Sequence, residues 1–261
     1  MVMILLPPSE GKTVPQTKAT LDLSKLSFTE LTELRSKTIG SLVKVSEGRV
    51  SAARKILGLT ENQDDEIARN HDLHNKPVAP AMHVYTGVLF DAIGIDTLSK
   101  TAVKRFARDT YVVSALFGLI SVTDQIPAYR LSGSATLPKI GTLASLWNSA
   151  VSELLHKADD FMIDLRSGVY QKLGQIPDDA APRAVVPRIL QKMPSGPPKL
   201  VSHHNKATKG RIVRAIAESG KSLKSVEALA EVVAALGADV EVISPSNSAK
   251  PFGLDVVVPV L

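Results

Sequence analysis

The sequence lacks several features that would define a function class. None of its 261 residues is cysteine, which excludes disulfides, thiolate metal sites and cysteine nucleophiles and leads us to expect a reducing compartment. Aromatic residues make up only 4% of the chain, so the core must consist of Leu, Val, Ile and Ala. No apolar run reaches the roughly 18 residues of a membrane span, and the apolar stretch 2–6 ends at two prolines. We therefore expect a cytoplasmic protein without membrane contact.

The charge balance favours anionic partners. Lys and Arg number 31 against 26 Asp and Glu, a net charge of +5, which suits nucleic acid or phosphorylated small molecules. With 44% hydrophobic residues the chain can bury a substantial core, and its length favours a single large domain, 1–261. The helical segment 137–157 followed by the strand-like segment 161–165 suggests a crossover onto a sheet, and we expect a mixed α/β fold with a central mixed sheet flanked by helices.

Hydrophobic periodicity predicts the individual elements. A helical region spans 27–58, with Ser27 and Glu30 as a capping box, and a second helix spans 137–157. Helices are also predicted from about residue 205 and over 225–236, the latter ended by Gly237. The predicted strands are 2–6, 161–165, 184–190, 199–204, 240–243 and 254–260.

The stretch Tyr111–Ser134 is expected to lie at the centre of the protein. It opens as a buried strand, turns at Gly118, continues as a second apolar segment and then presents Tyr129 and Arg130 beside a Ser-Gly-Ser loop. A buried strand that delivers an arginine at its end is a common way to build a site. The alternative interpretation is that this stretch is simply a core strand, a core helix and a surface arginine.

The loop after the first strand reads Pro-Pro-Ser-Glu-Gly-Lys-Thr, residues 7–13. Its end imitates a phosphate-binding P-loop, but Leu6 stands where that motif needs glycine, and Pro7 and Pro8 lack the N–H groups that would cradle phosphate. We reject a nucleotide P-loop. Lys12, just past a core strand, is still placed to meet an anion, although a solvated lysine is the alternative.

Three other segments carry candidate site residues. Tyr85, Thr86 and Gly87 supply two hydroxyls and a point of close backbone approach. Residues 166–170 follow a predicted strand, a favoured position for ligand groups. His71 and His74 have helical spacing for a shared metal, but no third ligand is evident. We expect neither a metal site nor a cofactor.

The strongest charge signal is a run of cations at a predicted helix start. Lys206, Lys209, Arg211 and Arg214 lie within nine residues, where cations oppose the helix dipole at a cost that a bound anion would relieve. His203 and His204 precede them on the predicted strand and would point to opposite faces, which argues against a shared metal. We interpret 206–211 as an anion-binding segment, with a solvated face as the alternative.

Several stretches, in order and spacing, resemble the YaaA family of bacterial peroxide-stress proteins. They are residues 6–13, 83–87, 114–119, 127–131, 164–170 and 202–210. The resemblance implies a single-domain mixed α/β fold, a helix-hairpin-helix-like element near the central stretch, DNA binding through a basic cleft, and a role in limiting iron-driven oxidative damage. It implies no established enzymatic activity. This sequence departs from the usual Leu-Ser-Gly-Leu-Tyr-Gly pattern at Ala115 and Phe117, which weakens the expectation of a hairpin-type phosphate contact.

Three functions remain open at this stage. The first is a stress protein that binds DNA without sequence preference. The second is an enzyme acting on a small anionic or nucleotide-like substrate in the same cleft, with Tyr85, Ser114 or Tyr170 supplying the chemistry. Direct iron ligation ranks last, because the six histidines are scattered. The predicted DNA- and anion-binding residues are Ser9, Lys12, Tyr85, Thr86, Gly87, Gly118, Tyr129, Arg130, Lys206, Lys209 and Arg211.

Overall fold

The computed structural model describes residues 2–200 and 202–259, and of residues 202–204 it describes the backbone only. Its main feature is a mixed sheet of eight strands. The strands of the described chain are β1 (Val2–Leu6), β2 (Ala79–Pro80), β3 (Thr110–Ser114), β4 (Gly118–Ser121), β5 (Gln125–Ile126), β6 (Thr136–Leu137), β7 (Gly141–Thr142), β8 (Phe161–Asp164), β9 (Ala184–Gln191), β10 (Lys199–Leu200), β11 (Asp239–Ile243) and β12 (Phe252–Val258).

The large sheet has the order β11-β12-β9-β8-β1-β3-β4, with β10 paired to the end of β9. Strand β1 is central and runs parallel to both β3 and β8. All five of its side chains are buried, which explains why the strand is apolar throughout rather than alternating. The edge strands β4 and β11 each pair antiparallel with their neighbours. The predicted fold class, a mixed α/β fold with a central mixed sheet and flanking helices, is confirmed.

Helices flank the sheet. They are α1 (Thr32–Ser46), α2 (Val50–Leu57), α3 (Asp64–Ala68), α4 (Ala81–Val84), α5 (Val88–Ile93), α6 (Lys100–Asp109), α7 (Leu143–Lys157), α8 (Gly168–Gln171), α9 (Ser202–Ser219) and α10 (Val226–Ala234). Helix α9 packs against α5, α6, α10 and β9. Gly210 allows the close approach of α9 to α5, because a Cβ there would meet the Leu89 carbonyl oxygen and lie 2.7 Å from Ala92 Cβ.

The central stretch forms a β-hairpin of β3 and β4. Gly118 opens β4 with φ +65°, and a Cβ there would lie 2.8 Å from the Trp147 ring, so glycine is required on both counts. Trp147 Nε1 donates to the Ala115 carbonyl at 2.9 Å, and Ala115 does not adopt a positive φ. The segment 119–126 is therefore strand and turn rather than a core helix. The helix-hairpin-helix-like element expected near this stretch is not confirmed.

Some predicted boundaries are wrong. Ser27 does not cap a helix: its N–H and hydroxyl donate to the Asp124 carboxylate at 3.0 and 2.8 Å, and α1 begins at Thr32. Residues 137–142 belong to the β6–β7 hairpin, and α7 begins after the Thr142 cap. Residues 202–204 begin α9 instead of extending a strand. The expectation that His203 and His204 point to opposite faces of a strand concerned side chains outside the described part of the structure.

No helix within the described ranges is long and apolar enough to cross a membrane.

Candidate functional site

A pocket of about 520 Å³ lies at the carboxyl edge of the sheet. Strand β1 has β3 on one side and β8 on the other, so the chain reaches its two parallel neighbours in opposite directions. Such a switch point leaves a crevice outside the strand ends, where ligands bind in open α/β sheets. The lining residues come from the loops after β1 and β8 and from α5, α8 and α9: Pro7, Pro8, Ser9, Glu10, Gly11, Thr86, Gly87, Val88, Leu89, Phe90, Leu165, Ser167, Tyr170, Asn205, Lys206 and Lys209.

The pocket has two kinds of wall. One is apolar, formed mainly by the two prolines at 7–8, the α5 residues 88–90 and Leu165. The other carries hydroxyl, amide and ammonium groups, and Lys206 is its exposed cation. The Asn205 Oδ1 atom is buried and has no hydrogen-bond partner within the described residues. Such a composition suits a ligand with both an apolar part and an anionic part.

Lys12 lies behind the loop that forms one side of the pocket. Its side chain is buried, and its Nζ donates to the carbonyl oxygens of Ser9 at 2.7 Å and Glu10 at 3.4 Å. Nζ also lies over the rings of Tyr129 and Tyr85, at 4.1 and 5.4 Å from their centroids. Burial lowers the pKa of the Lys12 ammonium to about 7, and the nearby Glu10 carboxylate counteracts only part of this effect. Lys12 therefore titrates near neutral pH.

Three hydroxyl groups form a buried chain beneath the pocket. Ser114 Oγ accepts the N–H groups of Leu116 and Phe117 at 3.1 Å each, so it donates its own proton to Tyr129 Oη at 2.7 Å. Tyr129 in turn donates to Tyr85 Oη at 3.0 Å. Burial raises the pKa of both tyrosines well above the usual value, so the chain stays protonated.

Arg130 and Glu10 join the loop to the rest of the site. Arg130 Nη1 lies 3.0 Å from Glu10 Oε2, and the Arg130 side chain is only 14% exposed. The fully buried Asn70 fixes the Arg130 backbone, since its amide donates to the Arg130 carbonyl at 2.9 Å and its oxygen accepts the Arg130 N–H at 2.8 Å. Arg130 is thus held by internal partners rather than offered to solvent.

A buried ion pair supports the loop after β8. Asp164 and Arg166 are 2% exposed each and form a bidentate pair with two contacts of 2.8 Å. Lys209 of α9 donates to the Leu165 carbonyl at 3.0 Å, and burial lowers the pKa of its ammonium. Together these bonds fix the backbone that carries Leu165 and Ser167 into the pocket.

The structure brings some predicted site residues together and separates others. Ser9, Thr86, Gly87, Lys206 and Lys209 line the pocket. Behind it lie Lys12, Tyr85, Tyr129 and Arg130. The remaining two lie elsewhere: Gly118 is buried against Trp147, and Arg211 lines a separate cavity of about 180 Å³ with α10 and β12.

Comparison with known proteins identifies the family. The family model described as peroxide stress protein YaaA matches residues 2–237. The chain belongs to the peroxide stress protein YaaA family. A UPF0246 protein of Streptomyces coelicolor is 38% identical to it over 98% of both chains. A UPF0246 protein of Corynebacterium efficiens is 38% identical over 92% of this chain and 95% of its own length. The resemblance seen in the sequence is confirmed.

Sequence reasoning missed several residues of this YaaA-family site. Asn70, Glu66 and Arg69 lie beside His71 and His74, the only residues of this stretch considered from the sequence. Arg69 nevertheless contacts the Lys12 carbonyl at 3.4 Å and Glu66 at 3.2 Å. Asp164, the buried partner of Arg166, was considered only as part of the predicted strand 161–165 and of the stretch 164–170 that resembles the family. The partners of Arg69 and Asn70 in the site lie 57 and 60 residues away in the sequence, so no local pattern marks these two residues. Glu66 and Asp164 pair instead with close sequence neighbours, Arg69 and Arg166. In the described part of the chain, no group of three or more His, Asp or Glu side chains is arranged to hold a metal ion.

Proposed function

We propose that the pocket at the switch point binds a small anionic, nucleotide-like compound and acts on it as an enzyme. The observation that carries the proposal is the pocket itself: a concave site of about 520 Å³ with an apolar wall facing a polar wall that includes Lys206. Ligand pockets of about 300–1,000 Å³ with few polar groups are typical of small-molecule sites. A long, shallow basic groove, the shape that suits duplex DNA, would have argued the other way.

Different lining residues bind different parts of the ligand. Lys206, exposed at the pocket, neutralises the anionic group of the ligand, and the Thr86 hydroxyl adds a hydrogen bond. The Ser9 hydroxyl instead fixes the loop, because it donates to the Gly11 carbonyl and accepts the Thr86 N–H at 3.1 Å. The apolar wall of Pro7, Pro8 and α5 covers the flat part of the ligand. Asn205 Oδ1, buried without a partner, accepts a hydrogen bond from a ligand N–H or O–H group, which removes the cost of an unsatisfied acceptor.

Tyr170 is the proposed proton donor. Of the three hydroxyl residues considered from the sequence, Ser114 and Tyr85 are committed to the buried chain, whereas Tyr170 lines the pocket. Burial raises the pKa of Tyr170 to about 12, so its hydroxyl stays protonated at neutral pH. Its Oη accepts the Gly133 N–H at 3.3 Å and also interacts with the Ser132 side chain, and these contacts hold the ring in place.

Calorimetric titration with adenosine monophosphate tests the binding proposal. We expect Lys206→Gln to weaken binding about tenfold, the effect of losing one charge-assisted hydrogen bond. Lys55→Gln is the matched control, because Lys55 is an exposed lysine of α2 that does not line the pocket, and it should bind as the wild type does. No binding by the wild type, or equal losses in both variants, would contradict the proposal.

A second proposed function is DNA binding without sequence preference in peroxide-stressed cells. The family description supports only the role in peroxide stress. The net charge of +5 and the exposed Lys206 favour an anionic partner such as DNA, whereas Lys12 and Arg130 are engaged by internal partners. In this role the protein limits iron-driven damage, which requires a cytoplasmic location. Gel-shift titration should show affinity that falls steeply between about 50 and 300 mM salt. Affinity that is equal at both salts, or absent at both, would refute this function.

A further inference from the structure

We propose that Lys12, buried behind the loop, turns the backbone N–H groups of Glu10 and Gly11 toward the pocket, where they form a subsite for an anionic oxygen. The inference deepens the proposed function and rests on it, because it identifies where a phosphoryl oxygen of the ligand binds. Lys12 acts here as a positioning residue, since its Nζ contacts the loop and not the ligand.

Lys12 holds two carbonyl groups of the loop. Its Nζ donates to the carbonyl oxygens of Ser9 and Glu10 at 2.7 and 3.4 Å. No described peptide bond is cis, and in a planar trans peptide the C=O and the following N–H point in opposite directions. The N–H groups of Glu10 and Gly11 therefore point away from Lys12.

The side of the loop away from Lys12 is the pocket. Glu10 and Gly11 are exposed and line it. Neither N–H donates to a protein acceptor within residues 2–200 and 202–259. Successive unpaired N–H groups of this kind form the anion-binding concavities called nests, and paired backbone donors form oxyanion holes. Two adjacent donors thus face the same space as Lys206.

The charges around the loop suit an anion at this position. The Lys12 ammonium polarises the Ser9–Glu10 and Glu10–Gly11 peptide groups from behind, which strengthens both N–H donors without occupying the pocket. The Glu10 carboxylate would repel an anion, but Arg130 pairs with it at 3.0 Å. The other groups that face Lys12 are Glu66 and Arg69 from the α3 region and the rings of Tyr85 and Tyr129.

Inorganic sulfate is the probe, because its double negative charge does not change between about pH 6 and pH 9, whereas phosphate titrates there. Two variants isolate the backbone donor: Glu10→Pro and Glu10→Gln both remove the carboxylate, but only proline removes the N–H. We expect Glu10→Pro to bind sulfate about tenfold more weakly than Glu10→Gln. Equal affinities would overturn the inference. In the wild type, the Glu10 and Gly11 amide resonances should move downfield on sulfate addition.

The pH dependence of sulfate binding tests the role of Lys12. Sulfate affinity of the wild type should fall as pH rises through about 7, and Lys12→Met should bind weakly with no such dependence. A pH dependence that persists in Lys12→Met would belong to other groups and would refute the role of Lys12. Circular dichroism checks that each variant is folded, and acetate in place of sulfate distinguishes a carboxylate ligand from a tetrahedral dianion.

The outcomes separate this inference from the proposed function. If the wild type binds neither sulfate nor adenosine monophosphate, both fail. If the wild type binds adenosine monophosphate but Glu10→Pro and Glu10→Gln bind both probes with equal affinity, the proposed function is supported and the backbone subsite is wrong.

Discussion

Lys12 makes the stability of the fold depend on pH in a direction that can be worked out. Its folded-state pKa of about 7 lies below the ordinary lysine value of 10.5, because burial disfavours the charged form. Between these two values the unfolded chain binds one proton more than the folded chain, so the free energy of unfolding rises with pH. The cost of burying the ammonium is fully present below pH 7 and is relieved as pH rises toward 10.5.

The magnitude follows from the same two values. At about 1.4 kcal/mol per pH unit, the full cost is about 5 kcal/mol, and roughly 2 kcal/mol of it is relieved between pH 7 and pH 9. Urea unfolding of the wild type and of Lys12→Met at these two pH values measures the effect. Met keeps a similar length without a charge, so the difference in unfolding free energy between the two proteins cancels contributions from other groups, including Lys209.

The expected result is that the wild type gains about 2 kcal/mol relative to Lys12→Met between pH 7 and pH 9. A difference that does not change with pH would mean that Lys12 keeps an ordinary pKa in the folded state. In that case the ammonium must reach solvent, and its hydrogen bonds to the loop carbonyls would not describe the protein in solution.

Three substitutions test the packing around the pocket, each by urea unfolding. Gly210→Ala should lower the free energy of unfolding by about 2–4 kcal/mol, because a Cβ collides with α5. The control Gly40→Ala, in open space on α1, should be neutral or stabilising by up to about 1 kcal/mol. Equal effects of the two substitutions would refute the close packing of α9 on α5. Asp164→Asn should cost about 3–5 kcal/mol, since it leaves the Arg166 guanidinium buried without its partner, and a loss below about 1 kcal/mol would show that the pair is solvated. Tyr129→Phe should cost about 1–3 kcal/mol, since it removes the middle of the hydroxyl chain, and no loss would argue against that chain.

Much of the fold follows from local pattern. Strand β1 matches the predicted range because a wholly apolar run ends at Pro7 and Pro8. Ser99 caps α6. Gly237, with φ +81°, follows shortly after the end of α10. The start of α9 was missed because residues 199–204 were interpreted as a strand, whereas α9 already begins at Ser202. Ser27 was misjudged because its hydroxyl is engaged by Asp124, a partner that no local pattern reveals.

The sequence predicted where the site residues lie better than it predicted what surrounds them. Lys12 was expected just past the first strand, and it is there, but its burial depends on Tyr85 and Tyr129, which only the fold brings together. The separation of Arg211 from Lys209 was predictable, since residues two apart in a helix lie on different faces. The orientation of the Glu10 and Gly11 N–H groups was not, because it depends on which carbonyls Lys12 binds.

The central position of β1 has a consequence for biosynthesis. Val2 pairs with Phe161 of β8, and Leu6 pairs with Val112 of β3. The apolar strand β1 therefore leaves the ribosome long before β3 or β8 has been synthesised. At about 5–20 residues per second, it waits roughly 10–30 s for β8. Nascent chains of this protein should therefore be clients of ribosome-associated chaperones, and truncations that end before residue 161 should aggregate rather than fold.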